Sequence, residues 1–191
     1  MVSGARSTRP GAAGELPTQL GPDWVVGADG VPSRRGARVI LLDERDRLLL
    51  VRGHDVDQPD RSWWFTVGGG IDTGESAHDA AVRELFEETG LRLHPGELVG
   101  PVLRRRAVFD FSRRTVRQDE EFFLARVHEP DAVTTVGWTE VERGFMDEVR
   151  WWHLDELERV EVEIFPAPLV SVVRGLLAGW DGVTRVLPDQ A

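Results

Sequence analysis

Gly69-Gly70-Ile71-Asp72-Thr73-Gly74-Glu75-Ser76-Ala77-His78-Asp79-Ala80-Ala81-Val82-Arg83-Glu84-Leu85-Phe86-Glu87-Glu88-Thr89-Gly90-Leu91 carries its own punctuation. Ser76 with Asp79 three residues on has the form of a capping box, in which a serine oxygen satisfies an orphan amide at a helix start. Gly90 supplies the left-handed residue at which helices commonly end. The stretch therefore predicts a glycine-rich entry, a helix between Ser76 and Gly90, and a sharp stop.

Wound at the helical period, its side chains sort into two flanks. Val82, Leu85, Phe86 and Thr89 form a core-facing stripe. Glu84, Glu87 and Glu88 lie together on the other side, with only Ala77, Ala80 and Ala81 on the turns above them. Like charges at these spacings cost a helix roughly 0.2–0.5 kcal/mol per pair. A hard divalent cation reverses that sign, because Mg²⁺ takes oxygen ligands and uses a few carboxylates together with substrate phosphates. A solvated acidic face is the plain alternative for a glutamate-rich helix taken alone.

The flanking residues carry further weight. Gly69, five residues, Glu75, seven residues and then Arg83-Glu84-Leu85-Phe86-Glu87-Glu88-Thr89-Gly90-Leu91 resembles the signature of the Nudix hydrolases at every defined position. The resemblance implies hydrolysis of a diphosphate joined to another group, with Mg²⁺ or Mn²⁺ as cofactor. It implies Glu84, Glu87 and Glu88 as metal ligands, joined by a backbone carbonyl of Gly68 or Gly69. It further implies Arg83 as the residue that orients the glutamates, and Glu75 as a supporting acid. Bound metal would neutralise the diphosphate and activate water.

Length and composition bound the rest. At 191 residues and 41% hydrophobic content the chain suits one globular domain with a sizeable core. We expect it to span residues 23–180, with a mobile tail over 1–22, rich in small residues, and a C-terminal tail over 181–191. No apolar stretch is long enough to cross a membrane. A formal charge of −10 argues against a nucleic-acid coat, so the expected partner is a small nucleotide-type molecule rather than a DNA or RNA polymer. Every basic residue is arginine, which reads as a composition bias. The absence of cysteine excludes disulfides, thiolate zinc and a cysteine nucleophile, and within the resemblance it counts against isopentenyl diphosphate isomerases. The cytoplasm is the default compartment, and a homodimer is as compatible with the sequence as a monomer.

Along the chain, Arg38–Leu42 and Leu48–Arg52 form a predicted hairpin, Gly53–Ser62 a loop holding an exposed His54, and Trp63–Val67 a strand delivering the chain into Gly68-Gly69-Gly70. Glycines let backbone approach a phosphate or metal closely, which makes Gly68 and Gly70 candidate substrate contacts. A long hairpin follows, Glu97–Phe111 and Thr115–Val127, turning at Ser112-Arg113-Arg114. Arg104, Arg105 and Arg106 alternate across its first strand, so at most two share a face. Arg104 and Arg106 are candidates for substrate phosphate or sugar, against pairing with Asp119, Glu120 and Glu121. Residues 128–148 form an acidic loop from which Glu142, then Glu148, is the candidate general base, as related enzymes draw one from this part of the chain. Val149–Leu154 is the last clear strand, with one of Trp151 and Trp152 in the core and the other free to stack on a base. Pro166–Ala178 is a closing amphipathic helix.

This order suits an α+β fold with a central mixed sheet between helices, the α/β/α sandwich of the Nudix resemblance. The expected activity is Mg²⁺-dependent cleavage of a nucleoside triphosphate or nucleotide sugar. Its rivals are a nucleotide or nucleotide-sugar sensor that cleaves nothing and, disfavoured by the acidity, an RNA-end hydrolase. The subfamily markers of ADP-ribose and dinucleoside polyphosphate hydrolases are absent: Pro101 is off position, and there is no tyrosine.

Overall fold

The computed structural model describes residue 20 and residues 23–56, 58–111, 114–128 and 133–189. The predicted N-terminal tail thus falls almost wholly outside the described residues, as do Ser112 and Arg113 of the predicted turn. The strands are β1 (Val25–Val26), β2 (Pro32–Asp43), β3 (Leu48–His54), β4 (Ser62–Phe65), β5 (Val67–Gly70), β6 (Val99–Phe111), β7 (Arg114–Val127), β8 (Met146–Trp152), β9 (Glu163–Phe165) and β10 (Arg185–Val186). The helices are α1 (Ala77–Thr89), α2 (Glu140–Arg143), α3 (Leu154–Leu157) and α4 (Leu169–Leu176).

The strands make one mixed sheet in the order β10-β6-β7-β2-β3-β4-β9, with β1 and β5 also on β2 and β8 on β3. Its axis is β2. One edge of β2 runs parallel to β7 from Ser33 opposite Arg117 to Asp43 opposite Val127. The other edge is shared: Gly36–Val39 pair antiparallel with Val67–Gly70, and Leu42 pairs with Leu48. The sheet therefore forks along β2, and the glycine strand ends on one prong.

The run Val39-Ile40-Leu41-Leu42 is wholly buried, as expected of a strand covered on both faces. Val39 and Leu41 pack with Leu49, Val51, Ala80, Ala81, Leu85 and Phe123 beneath α1. Ile40 and Leu42 pack with Leu48, Leu50, Trp64, Phe122, Leu157, Leu169, Val173 and Leu176 beneath α3 and α4. Helices on both faces of a mixed sheet give the sandwich predicted from the element order.

Several details depart from the sequence reading. His54 belongs to the end of β3 rather than to an exposed loop, and its Nδ1 lies 2.9 Å from Asp147 Oδ1. Phe86 is not core but 38% exposed, with Arg92 stacked on its ring at 3.9 Å. The stretch read as a C-terminal tail contains β10, whose Arg185 and Val186 pair parallel with Leu103 and Arg104. Two residues of strand leave too little pattern to read from sequence.

Candidate active site

The site begins with the backbone of β5. The bond from Ile71 N to Arg35 O sets the phase of the antiparallel ladder, which turns the polar groups of Gly69 toward β2 and those of Gly68 and Gly70 away from it. Of the two carbonyls proposed from sequence as metal ligands, Gly68's is therefore the outward one, and Gly69's is committed to the sheet. Gly68 has φ +130°, and a Cβ there would lie 2.1 Å from Ala37 O, so no side chain fits. Its N–H donates to Glu88 Oε2 at 2.9 Å. Gly69 serves differently: a Cβ there would lie 2.6 Å from the Glu84 carboxylate, which rests on its bare Cα.

Helix α1 delivers the acids. Ser76 Oγ accepts from Asp79 N at 3.1 Å, and Gly90, at φ +72°, donates to Phe86 O at 2.8 Å, as the punctuation predicted. Ala80 and Ala81 are fully buried, and these small residues let the helix lie close to the sheet. Glu84 and Glu88, on the same side, are consequently only 7% and 3% exposed. The carboxylate patch faces inward onto the glycine strand.

Arg83 fixes the arrangement. Nε and Nη2 grip the two Glu75 oxygens at 2.9 Å each, Nη2 also donates to Gly70 O at 3.0 Å, and Nη1 donates to Glu84 Oε1 at 2.8 Å and Glu87 Oε2 at 3.1 Å. The paired guanidinium holds the Glu75 carboxyl below its usual range. Glu87, whose side chain is 48% exposed, is turned toward this arginine rather than toward Glu88.

The acidic loop closes over the helix. Thr134 N donates to Thr89 O at 2.8 Å, buried Trp138 donates from Nε1 to Glu88 O at 3.0 Å, and Gly137 passes so near Glu87 O that a Cβ would lie 2.1 Å from it. That docking carries Glu142, on α2, to the acids. Carboxylate oxygens of Glu84, Glu88 and Glu142 lie within 4.8 Å of one another. Glu142 Oε2 accepts from Thr139 N and Oγ1, both at 2.7 Å, leaving Oε1 the freer oxygen.

Packing acids this tightly shifts their protonation. Burial, with repulsion from Glu84 and Glu142, pushes the Glu88 carboxyl up to about 8, and burial raises Glu84 as well. A divalent cation among these oxygens would relieve both effects. The donor set is all oxygen: three carboxylates and the outward Gly68 carbonyl, with no histidine or cysteine among them. It fits Mg²⁺ or Mn²⁺ and not a thiolate metal.

The remaining candidates lie elsewhere. Arg104 sits 3.6 Å from Glu121, and Arg106 Nε donates to Asp119 at 2.8 Å, both on the exposed face of the hairpin. The row Arg104–Glu121–Ala37–Gly69 crosses three strand spacings, so Arg104 stands about 14 Å from the glycine strand. Glu148, on β8, lies in register opposite Arg52 of β3, outside the acid cluster. Trp152 is buried against Trp64, and Trp151 packs partly on the α1 side of the sheet. Sequence reasoning passed over Arg38 and Glu120, which adjoin the site. Arg38 donates from Nε to buried Glu120 and from Nη1 to Gly68 O. A charged pair at the mouth of two apolar strands was the available signal.

The geometry accords with known proteins. A family model described as the NUDIX domain matches residues 32–172, most of the chain. The chain belongs to the Nudix family. An RNA pyrophosphohydrolase of Marinomonas sp. is 30% identical over 159 residues, covering 78% of this chain and 94% of that protein. A putative 8-oxo-dGTP diphosphatase of Bacillus subtilis is 50% identical over 56 residues, 29% of this chain and only 34% of the relative. Among solved structures, a MutT protein from Methanosarcina mazei superposes with a TM-score of 0.53 at 20% identity, over 76% of this chain and 93% of that one. The last shows this Nudix chain's fold alone.

Proposed function

We propose that this Nudix hydrolase cleaves a diphosphate linkage in a nucleoside triphosphate or nucleotide sugar, using Mg²⁺ or Mn²⁺. The observation that carries the proposal is the convergence of Glu84, Glu88 and Glu142 on one point beside the outward carbonyl of Gly68. The cation, when bound, supplies charge neutralisation for the diphosphate and lowers the pKa of water. Glu84 and Glu88 hold it, with Glu87 at the exposed margin. Arg83, saturated by Glu75, Glu84, Glu87 and Gly70 O, keeps the ligands and the glycine strand in register. Glu142 is the candidate base: Thr139 holds its Oε2, and its carboxylate lies close enough to Glu84 and Glu88 to take a proton from attacking water. Gly68 and Gly70 are candidate substrate contacts through their outward backbone, since a Cβ at either would collide with Ala37 O or Asp23. Arg104 and Arg106, engaged with Glu121 and Asp119, can reach only the far end of an extended substrate.

A second reading is a 5′-triphosphorylated RNA end as substrate, favoured by the name of the relative that matches nearly end to end. The sensor reading requires no saturated arginine behind three converged carboxylates, and it stands behind both. No helix among the described residues is long and apolar enough to cross a membrane. We place the protein in the cytoplasm, where such substrates occur.

The test is phosphate release from nucleoside triphosphates, nucleotide sugars, dinucleotides and a triphosphorylated RNA oligomer, with and without Mg²⁺, for the native chain and Glu88→Gln. Turnover of one class that needs metal and disappears in a folded Glu88→Gln protein is expected. Tight binding without turnover across the panel would instead make the protein a sensor, and undiminished turnover by Glu88→Gln would remove the acid cluster from the chemistry.

A further inference from the structure

On the sheet face that carries α3 and α4, beyond the end of the apolar core, β2, β6 and β7 bury a polar row. Glu120 is 3% exposed, and both its oxygens are taken. Oε1 accepts from Arg38 Nε at 2.8 Å and Gln118 Nε2 at 2.6 Å, while Oε2 accepts from Arg105 Nε. Gln118 Oε1 in turn accepts from Arg34 at 2.7 Å, and Arg34 is neutralised by Asp23 at 2.9 Å. Arg34 pairs with Asp23, and the guanidinium groups of Arg38 and Arg105 both hold the carboxylate of Glu120. Burial alone would raise that carboxyl; Arg38 and Arg105 outweigh it and hold it below the usual range, so it stays charged. Arg38 also faces the acid cluster, where its charge opposes the rise in the Glu84 and Glu88 carboxyls.

The row brings the Arg38 guanidinium to the glycine strand. Nη1 of Arg38 donates to Gly68 O, the outward carbonyl next to Glu88, and its side chain is 13% exposed. Among the described residues nothing takes a bond from its Nη2. Nor is Nη2 among the buried nitrogens left without a partner, which are Arg52 Nε and Trp152 Nε1, so it reaches solvent. A buried acid with saturated oxygens thus holds a guanidinium rigidly, with one donor pair open at the lip of the glycine strand. Fixed forks of this kind suit phosphate oxygens.

We propose that Arg38 is a diphosphate-binding residue, held by the Glu120–Arg105 pair so that its open nitrogen meets a phosphate oxygen of the substrate beside the acid cluster. This rests on the reading of the site as one that binds a diphosphate. Arg83 cannot play this part, because its donors are spent on Glu75, Glu84, Glu87 and Gly70 O. Glu120 is a positioning residue that acts through Arg38.

The experiment compares the native chain with Arg38→Met, Arg38→Lys and Glu120→Gln, each checked for folding by circular dichroism. Two affinities are measured by calorimetry: Mn²⁺ alone, and inorganic pyrophosphate at saturating Ca²⁺. Expected for Arg38→Met is pyrophosphate binding about tenfold weaker or worse, the loss of one charge-assisted hydrogen bond. Mn²⁺ binding should stay within about threefold of native or tighten, since a nearby positive charge is removed. Arg38→Lys restores part of the pyrophosphate affinity, and Glu120→Gln gives an intermediate loss. Native pyrophosphate affinity in folded Arg38→Met overturns the inference. Parallel loss of Mn²⁺ and pyrophosphate binding overturns it too, by making Arg38 a prop for the Gly68 carbonyl. If the native chain itself binds no pyrophosphate, the underlying diphosphate reading fails instead.

Discussion

Glu88→Gln should stabilise the metal-free protein at alkaline pH. In the fold the Glu88 carboxyl is pushed up to about 8, against an ordinary value of 4.5 in an exposed chain. Between those values the folded state binds more protons than the unfolded one, so stability is greatest below the lower value and falls as pH rises toward the upper one. The full gap corresponds to at most about 5 kcal/mol, since each pKa unit is about 1.36 kcal/mol. From about pH 6 to about pH 8.5 the loss is about 2–3 kcal/mol, or about 5–10 °C in Tm for a chain of this length. Glutamine keeps an acceptor for the Gly68 N–H and removes the titration. Glu84, raised in the same direction, leaves a shallower residual slope. A cation at about one hundred times its dissociation constant would return about 2.7 kcal/mol to the native protein, and much less to Glu88→Gln. The assay is thermal unfolding in chelator and in Mg²⁺ at both pH values. A native protein equally stable at the two pH values in chelator, or a variant with the native slope, would refute the burial account of this acid.

Three further outcomes follow from the geometry. Gly69→Ala forces a methyl to within 2.6 Å of the Glu84 carboxylate, so Mn²⁺ affinity measured by titration should drop at least about tenfold while the core survives. Trp138→Phe loses the bond to Glu88 O, worth about 1 kcal/mol, and loosens the loop that carries Glu142; kcat should fall while KM holds. Arg104→Ala and Arg106→Ala break only exposed pairs and should shift denaturant midpoints by less than about 0.5 kcal/mol each; a larger loss would mean these ion pairs support the hairpin.

Local physics made much of this protein legible in its sequence. Helix α1 is bounded by a cap and a stop within the chain itself, and its acids, arginine and glycine entry occupy one continuous stretch, so their mutual spacing is set by the helical repeat. The apolar runs of β2 and β3 announced buried strands for the same reason. What the sequence left open were distances between segments far apart in the chain. Whether the glutamates of α1 face solvent or the sheet depended on Ala80 and Ala81 meeting β5 and on Trp138 closing the loop over the helix. The phase of the β2–β5 ladder, which turns Gly68 outward and Gly69 inward, is a property of the pairing and of neither strand alone. The anchoring of Arg38 needed Glu120 from β7 and Arg105 from β6, brought within hydrogen-bond reach only by a sheet register that no single stretch encodes.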